Sequence, residues 1–145
     1  MALYKNIIFI DNDEEDRMIF KDTLFQLHPQ IIYNDFPGAQ EAIDFLAHDF
    51  IILPDLIFLD INMPGKDGFH VLKTIKKSER LKEIPVIMLS TSSEKNDMQK
   101  ASKMGALGYA VKPSRLSDLK KIMEVGLQKL LYSKEPSQYI IRLHD

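Results

Sequence analysis

Short runs of consecutive apolar residues alternate along this chain with longer stretches in which apolar residues recur every three or four positions. The runs are Ile7-Ile8-Phe9-Ile10, Ile31-Ile32-Tyr33, Leu56-Ile57-Phe58-Leu59, Val86-Ile87-Met88-Leu89 and Leu107-Gly108-Tyr109-Ala110-Val111. Their shortness and β-branched content predict strands. Between them, Phe20, Leu24 and Leu27 fall at helical spacing and stop at His28-Pro29, while Ala39, Ala42, Ile43 and Leu46 lie at i, i+3, i+4 and i+7. Val71, Leu72 and Ile75 mark a third helix, and a fourth spans about 94–104. Leu116, Leu119, Met123 and Leu130 mark a fifth, with Gly126 as a weak point in its middle.

Five strand–helix pairs with continuously apolar strands predict an α/β fold. A doubly wound, five-stranded parallel sheet would be covered by helices on both faces. In such sheets ligands bind in the crevice outside the carboxyl ends of the strands. The crevice is therefore expected before any motif is considered.

Composition narrows the class. A chain of 145 residues suits one domain, placed at 1–131, with 132–145 as a tail. Net charge is −2 with both signs intermixed, which argues against nucleic acid as a partner. The absence of cysteine excludes disulfides, thiolate metal sites and a cysteine nucleophile. Histidines 28, 48, 70 and 144 have no ligand-like spacing. No apolar run approaches the roughly 18 residues of a membrane span, and the start carries no signal-peptide core. A soluble, cytoplasmic protein without membrane contact is expected.

The chemistry lies at the predicted strand ends. Asp11, Asn12 and Asp13 follow the first strand, Asp60 the third, Ser90 and Thr91 the fourth, and Lys112 the fifth. Acids and an amide projecting into one crevice suit a hard cation such as Mg²⁺, which takes oxygen ligands and water. A lysine can balance phosphate charge, a hydroxyl can donate to a phosphoryl oxygen, and an aspartate can act as nucleophile to give an aspartyl phosphate. Each piece also has a bland explanation. Asn12 with Glu15 can form a helix capping box, Asp13 can complement a helix dipole, and 90–93 can cap the next helix. Four independent caps, each at its own strand end, explain the set less economically than one site.

This set resembles the receiver domains of two-component response regulators over about residues 5–131. The resemblance rests on the acidic cluster Asp11-Asn12-Asp13, the segment Asp60-Ile61-Asn62-Met63-Pro64-Gly65-Lys66-Asp67-Gly68, Ser90, Tyr109 and Lys112-Pro113. The run Asp11-Asn12-Asp13-Glu14-Glu15-Asp16-Arg17 is similar to the opening of stand-alone receivers. The resemblance implies a flavodoxin-like fold with strand order 2-1-3-4-5. It also implies that Asp60 accepts a phosphoryl group from a sensor histidine kinase or a histidine phosphotransfer protein. Asp11, Asn12, Asp60 and the backbone carbonyl of Asn62 would hold Mg²⁺. Ser90 and Lys112 would bind the phosphoryl group, Ser90 and Tyr109 would form the switch, and Lys112–Pro113 would be cis. The output face would comprise the fourth helix, fifth strand and fifth helix. Such a protein is not a conventional enzyme, although it catalyses its own phosphorylation and possible autodephosphorylation. With only 132–145 after the fifth helix, signalling is expected by contact with another protein or by phosphorelay.

Asn12 departs from the family's pattern, which has an acid there. An amide oxygen can coordinate but carries no charge, so metal affinity should fall. The alternative is a pseudo-receiver, a binding module not regulated by phosphorylation. A haloacid-dehalogenase-type phosphatase would use Asp11 and Asp13, yet it needs a later acidic pair and leaves the segment after Asp60 unexplained. In the tail, Tyr139, Ile141 and Leu143 alternate in a β-prone run that is expected to dock on this domain or on a partner.

Overall fold

The computed structural model describes residues 5–92, 94–113, 115–132 and 139–141, and for 116, 127–132 and 139–141 the backbone only. Strands and helices alternate as the hydrophobic pattern requires. They are β1 (Asn6–Ile10), α1 (Glu14–Leu27), β2 (Ile32–Phe36), α2 (Ala39–Leu46), β3 (Leu56–Asp60), α3 (Gly68–Lys77), β4 (Val86–Ser90), α4 (Lys95–Lys103), β5 (Gly108–Val111) and α5 (Leu116–Tyr132), followed by a short β6 (Tyr139–Ile141). All strands pair in parallel, in the order β2-β1-β3-β4-β5-β6. The five-stranded 2-1-3-4-5 core is as expected, and β6 extends it.

The reason the central strands read as unbroken apolar runs is now visible. Every residue of β1, β3 and β4 is buried. Alternate residues face opposite layers. Ile8, Ile10, Ile57, Leu59 and Met88 pack beneath α2 and α3 with Ala42, Leu72 and Ile75. Ile7, Phe9, Phe58, Ile87 and Leu89 pack against α1 and α5 with Phe20, Leu24, Ile122 and Met123. Burial of each large side chain contributes about 1.5–3 kcal/mol. Phe9 and Phe20 stack with ring centroids 4.1 Å apart, fixing α1 over β1.

Three local expectations are corrected, and a fourth, that the tail docks, is met within the described residues. Strand β2 starts at Ile32 and continues through Asn34 and Asp35 to Phe36, because an edge strand tolerates polar residues that a central one does not. Gly126 is no weak point: α5 runs through it, and a β-carbon there would lie 2.9 Å from Ile87 Cδ1 and 3.0 Å from Phe58 Cζ. Glycine at 126 lets the helix lie close to the sheet. The Lys112–Pro113 bond is trans, as are all described peptide bonds. The trans preference before proline is only about 0.5–1 kcal/mol, so the surrounding loop decides which isomer is held. Finally, part of the tail is a strand. Tyr139, Ile140 and Ile141 pair with Gly108, Tyr109 and Ala110, occupying backbone groups that β5 would otherwise present as a bare edge. Leu143 lies outside the described residues. No described helix is long and apolar enough to cross a membrane.

Candidate functional site

Register assembles the site. Ile10 pairs with Leu59, and each of these strands reaches its acid one residue later, so Asp11 and Asp60 stand side by side. Asp60 in turn pairs with Leu89, and Ser90 with Val111, which sets Ser90 and Lys112 at the next two strand ends. Asp11 and Ser90 are fully buried and Asp60 is 4% exposed.

After Asp60 the chain must turn at once. The Ile61 N–H donates to the Leu89 carbonyl at 3.1 Å, and the Gly68 N–H donates to the Ile61 carbonyl at 2.9 Å. A β-carbon at 68 would sit 2.3 Å from the Asp60 carbonyl oxygen, so only glycine lets α3 begin this close to the acid. Asp67 caps α3 by accepting from the His70 N–H at 3.1 Å.

Lys112 organises the charges. Its backbone N–H donates to the Ser90 carbonyl at 2.6 Å, extending the β5 ladder by one residue. Its Nζ lies 2.5 Å from Asp11 Oδ2, 2.8 Å from Asp16 Oδ2 and 3.7 Å from Asp60 Oδ1. The ammonium thus hydrogen-bonds Asp16, pairs tightly with Asp11, and stands off Asp60. On the other side, Asp11 Oδ1 accepts from the Asp13 N–H at 2.9 Å, and Arg17 donates to the Asp11 carbonyl at 2.7 Å.

One lysine does not balance these acids. Burial first, and then the neighbouring Asp11 charge, push the Asp60 carboxyl up to about 7, against the pull of Lys112. Burial likewise raises Asp11, although Lys112 opposes it. Lys112 is itself raised. Burial alone would lower it, but hydrogen bonds to Asp11 and Asp16 prevail.

The hydroxyl side is pre-arranged. Ser90 Oγ accepts from the Ser92 N–H at 3.0 Å and faces the Asn62 amide at 3.4 Å. Tyr109 is buried, and its hydroxyl donates to the Ser92 carbonyl at 2.7 Å. Burial raises the Tyr109 hydroxyl, so it stays a donor.

Of the residues singled out in the sequence, Asp11, Asp60 and Lys112 come together in one charged cluster, and Ser90 stands at the neighbouring strand end. Asn12 and Asn62 are exposed, Asn62 facing Ser90, and Tyr109 backs the Ser90 loop. The capping expectation was displaced by one residue. Asp13, not Asn12, caps α1, accepting from the Glu15 and Asp16 N–H groups at 2.9 and 3.2 Å. Asp13 is therefore engaged away from the cluster. Ser90 and Ser92 shape the turn before α4, while Glu94 is the N-cap residue and makes no side-chain cap bond. Sequence reasoning gave Asp16 no role of its own. The only signal was its place in the first turn of a helix that starts beside Asp11.

Among the described residues no group of three His, Cys, Asp or Glu is placed to hold a metal ion. A hard cation would therefore have to use a mixed oxygen set: the carboxylates of Asp11 and Asp60, the Asn62 carbonyl and the Asn12 amide. The electrostatics fit such an ion. Burial disfavours the charged form of both carboxylates, and a divalent cation bound beside them would offset that cost. Beside Lys112 and Asp16 a cavity of about 300 Å³ opens over Phe9, Ile19, Phe20, Leu89 and Leu119, between α1 and the start of α5.

Comparison with known proteins identifies the family and the fold. The family model described as "Response regulator receiver domain" matches residues 7–124. The response regulator Rcp1 of Synechocystis sp. is 41% identical over 124 residues, covering 83% of this chain and 84% of that protein. The structure of the phosphorylated cyanobacterial phytochrome response regulator RcpA superposes with a TM-score of 0.79 at 29% identity, covering 90% of this chain and 97% of RcpA. The Mn²⁺-bound form of Rcp1 superposes with a TM-score of 0.74 at 27% identity, covering 90% and 96%.

Proposed function

The chain belongs to the response regulator receiver family, and from that premise we propose that it is a cytoplasmic switch phosphorylated on Asp60. The donor would be a phosphohistidine on a sensor histidine kinase or a histidine phosphotransfer protein. One observation carries the reading: a buried carboxylate at a strand end with a lysine ammonium 3.7 Å away. At that distance the ammonium does not occupy Asp60, yet it can meet an oxygen added to it.

In the transfer, an Asp60 oxygen forms a bond to phosphorus while the phosphorus–nitrogen bond of the donor breaks. The electron pair returns to the imidazole, which takes up a proton. Lys112 would donate to a phosphoryl oxygen and offset the new charge of about −1.5 to −2. The Ser90 hydroxyl, whose oxygen already accepts from Ser92, has its own proton to give to a second phosphoryl oxygen. Drawing Ser90 toward the phosphoryl group would shift the turn that Tyr109 holds through the Ser92 carbonyl. That links the crevice to α4, β5 and α5, where a downstream protein would read the state. Mg²⁺ would be held by Asp11, Asp60, the Asn62 carbonyl and Asn12, and its contribution when bound is charge neutralisation at the transferring group. The phosphorylated RcpA and Mn²⁺-bound Rcp1 structures support both parts of the reading.

Treatment with a small phosphodonor and Mg²⁺, followed by intact-mass measurement and peptide mapping, tests the proposal. Wild type should gain one phosphoryl group on Asp60, and Asp60→Asn should gain none there. Labelling of Asp60→Asn at a residue other than Ser90 would overturn the acceptor assignment. The second reading, a binding module not regulated by phosphorylation, is favoured by Asn12 alone. An unlabelled but folded wild type would establish it.

A further inference from the structure

We infer that Asp16 is a positioning residue for phosphoryl transfer: it holds the Lys112 ammonium off Asp60, leaving the nucleophile free and one N–H aimed at the incoming phosphoryl oxygen. The inference rests on the reading of Asp60 as acceptor and assigns a task to a residue which that reading does not use.

Three distances carry it. An ammonium has three donors and no acceptor. Here one is engaged by Asp16 Oδ2 at 2.8 Å and Asp11 Oδ2 lies in ion-pair contact at 2.5 Å, while Asp60 Oδ1 at 3.7 Å is beyond hydrogen-bond range. Asp60 is almost wholly buried, so it has the stronger need of a counter-charge than the half-exposed Asp16. Coulomb attraction alone would draw the lysine inward onto Asp60. Asp16 opposes that pull from the opposite side.

The position of Asp16 is fixed by the backbone rather than by the lysine. Its N–H donates to the Asp13 cap at 3.2 Å, which places it in the first turn of α1. An acid there can simply complement the helix dipole, but a dipole partner needs no second cation. Glu14 and Glu15 already supply that complement. The Asp16 carboxylate instead reaches across to the residue after β5, bridging α1 and the β5–α5 loop at the edge of the crevice.

With Asp16 neutralised, the ammonium would close on Asp60 by close to 1 Å. It would then occupy the oxygen that must attack phosphorus. Misplacement of that size in a reacting centre costs up to about 100-fold in rate.

The test measures phosphorylation of the full chain by a small phosphodonor in four variants, with the Lys112 side-chain ammonium resonance followed by NMR. Asp16→Asn should slow labelling of Asp60 by at least about fivefold, and Asp16→Glu should restore most of the rate. In a Lys112→Ala background, Asp16→Asn should have no further effect, because Asp16 acts only through the lysine. Equal slowing in both backgrounds, or labelling of Asp16→Asn at the wild-type rate, would overturn the inference. A wild type that takes no phosphoryl group would instead sink the acceptor assignment. The positioning claim would then be judged by NMR, where Asp16→Asn must shift the Lys112 resonance, and an unmoved resonance refutes it.

Discussion

Gly126 of α5 lies so close to Phe58 of β3 that a β-carbon at 126 would fall 3.0 Å from the Phe58 Cζ. Glycine inside a helix ordinarily costs about 1 kcal/mol relative to alanine. At an exposed position Gly→Ala would therefore stabilise. Here Phe58 and Ile87 are both fully buried and have little room to give. Gly126→Ala should destabilise the chain by about 1–2 kcal/mol, because overpacking outweighs the propensity gain. Urea unfolding measures this, and a stabilised variant would show that α5 can rise off the sheet freely.

The pH dependence of stability follows from Asp60. Its carboxyl is raised from 3.8 to about 7 in the folded chain. A folded value above the unfolded one means that protonation favours the fold. The stabilisation is complete below about pH 4 and is lost as pH rises through about 7. In the presence of a chelator, Asp60→Asn should exceed wild type in stability by about 2 kcal/mol near pH 8, with the gap closing near pH 4. Thermal melts of both proteins across that range provide the check. A gap independent of pH would place its origin in packing.

Position 12 sets the strength of metal binding if its side chain reaches the ion. Asn12→Asp would put a third carboxylate beside Asp11 and Asp60, and affinity for hard cations follows ligand charge. Mg²⁺ should bind about tenfold more tightly, as read by calorimetric titration. Unchanged affinity would mean that residue 12 faces solvent even when the ion is bound.

The tail contributes to the sheet through β6. Removal of residues 134–145 strips the backbone partners from Gly108, Tyr109 and Ala110 and leaves β5 as a bare edge. Loss of three ladder residues should lower stability by about 1–3 kcal/mol and speed amide exchange at 108–110. Melting and exchange measurements on the truncated chain test this. Unchanged exchange at these amides would show that β6 does not protect them in solution.

Much of this molecule was legible in one dimension. Continuous apolar runs such as Leu56–Leu59 required strands buried on both faces, and that fixed a parallel sheet between helical layers. The sheet in turn put its crevice at the carboxyl ends, and register sets Asp11, Asp60, Ser90 and Lys112 at adjacent strand ends there. These features are local, because side-chain periodicity reports burial directly.

What remained hidden depends on distances between residues far apart in sequence. Asp16 is separated from Lys112 by 96 positions, and no spacing rule says that one carboxylate of an acidic run turns inward while its neighbours cap or face solvent. Gly126 read as a flaw because helix propensity knows nothing of Phe58. The sequence of 139–141 announced a β-prone segment but not its partner, since a strand's register is set by the edge it meets. Packing decided all three: it chose which atoms approach within 3 Å, and at that range sterics and charge override local preference.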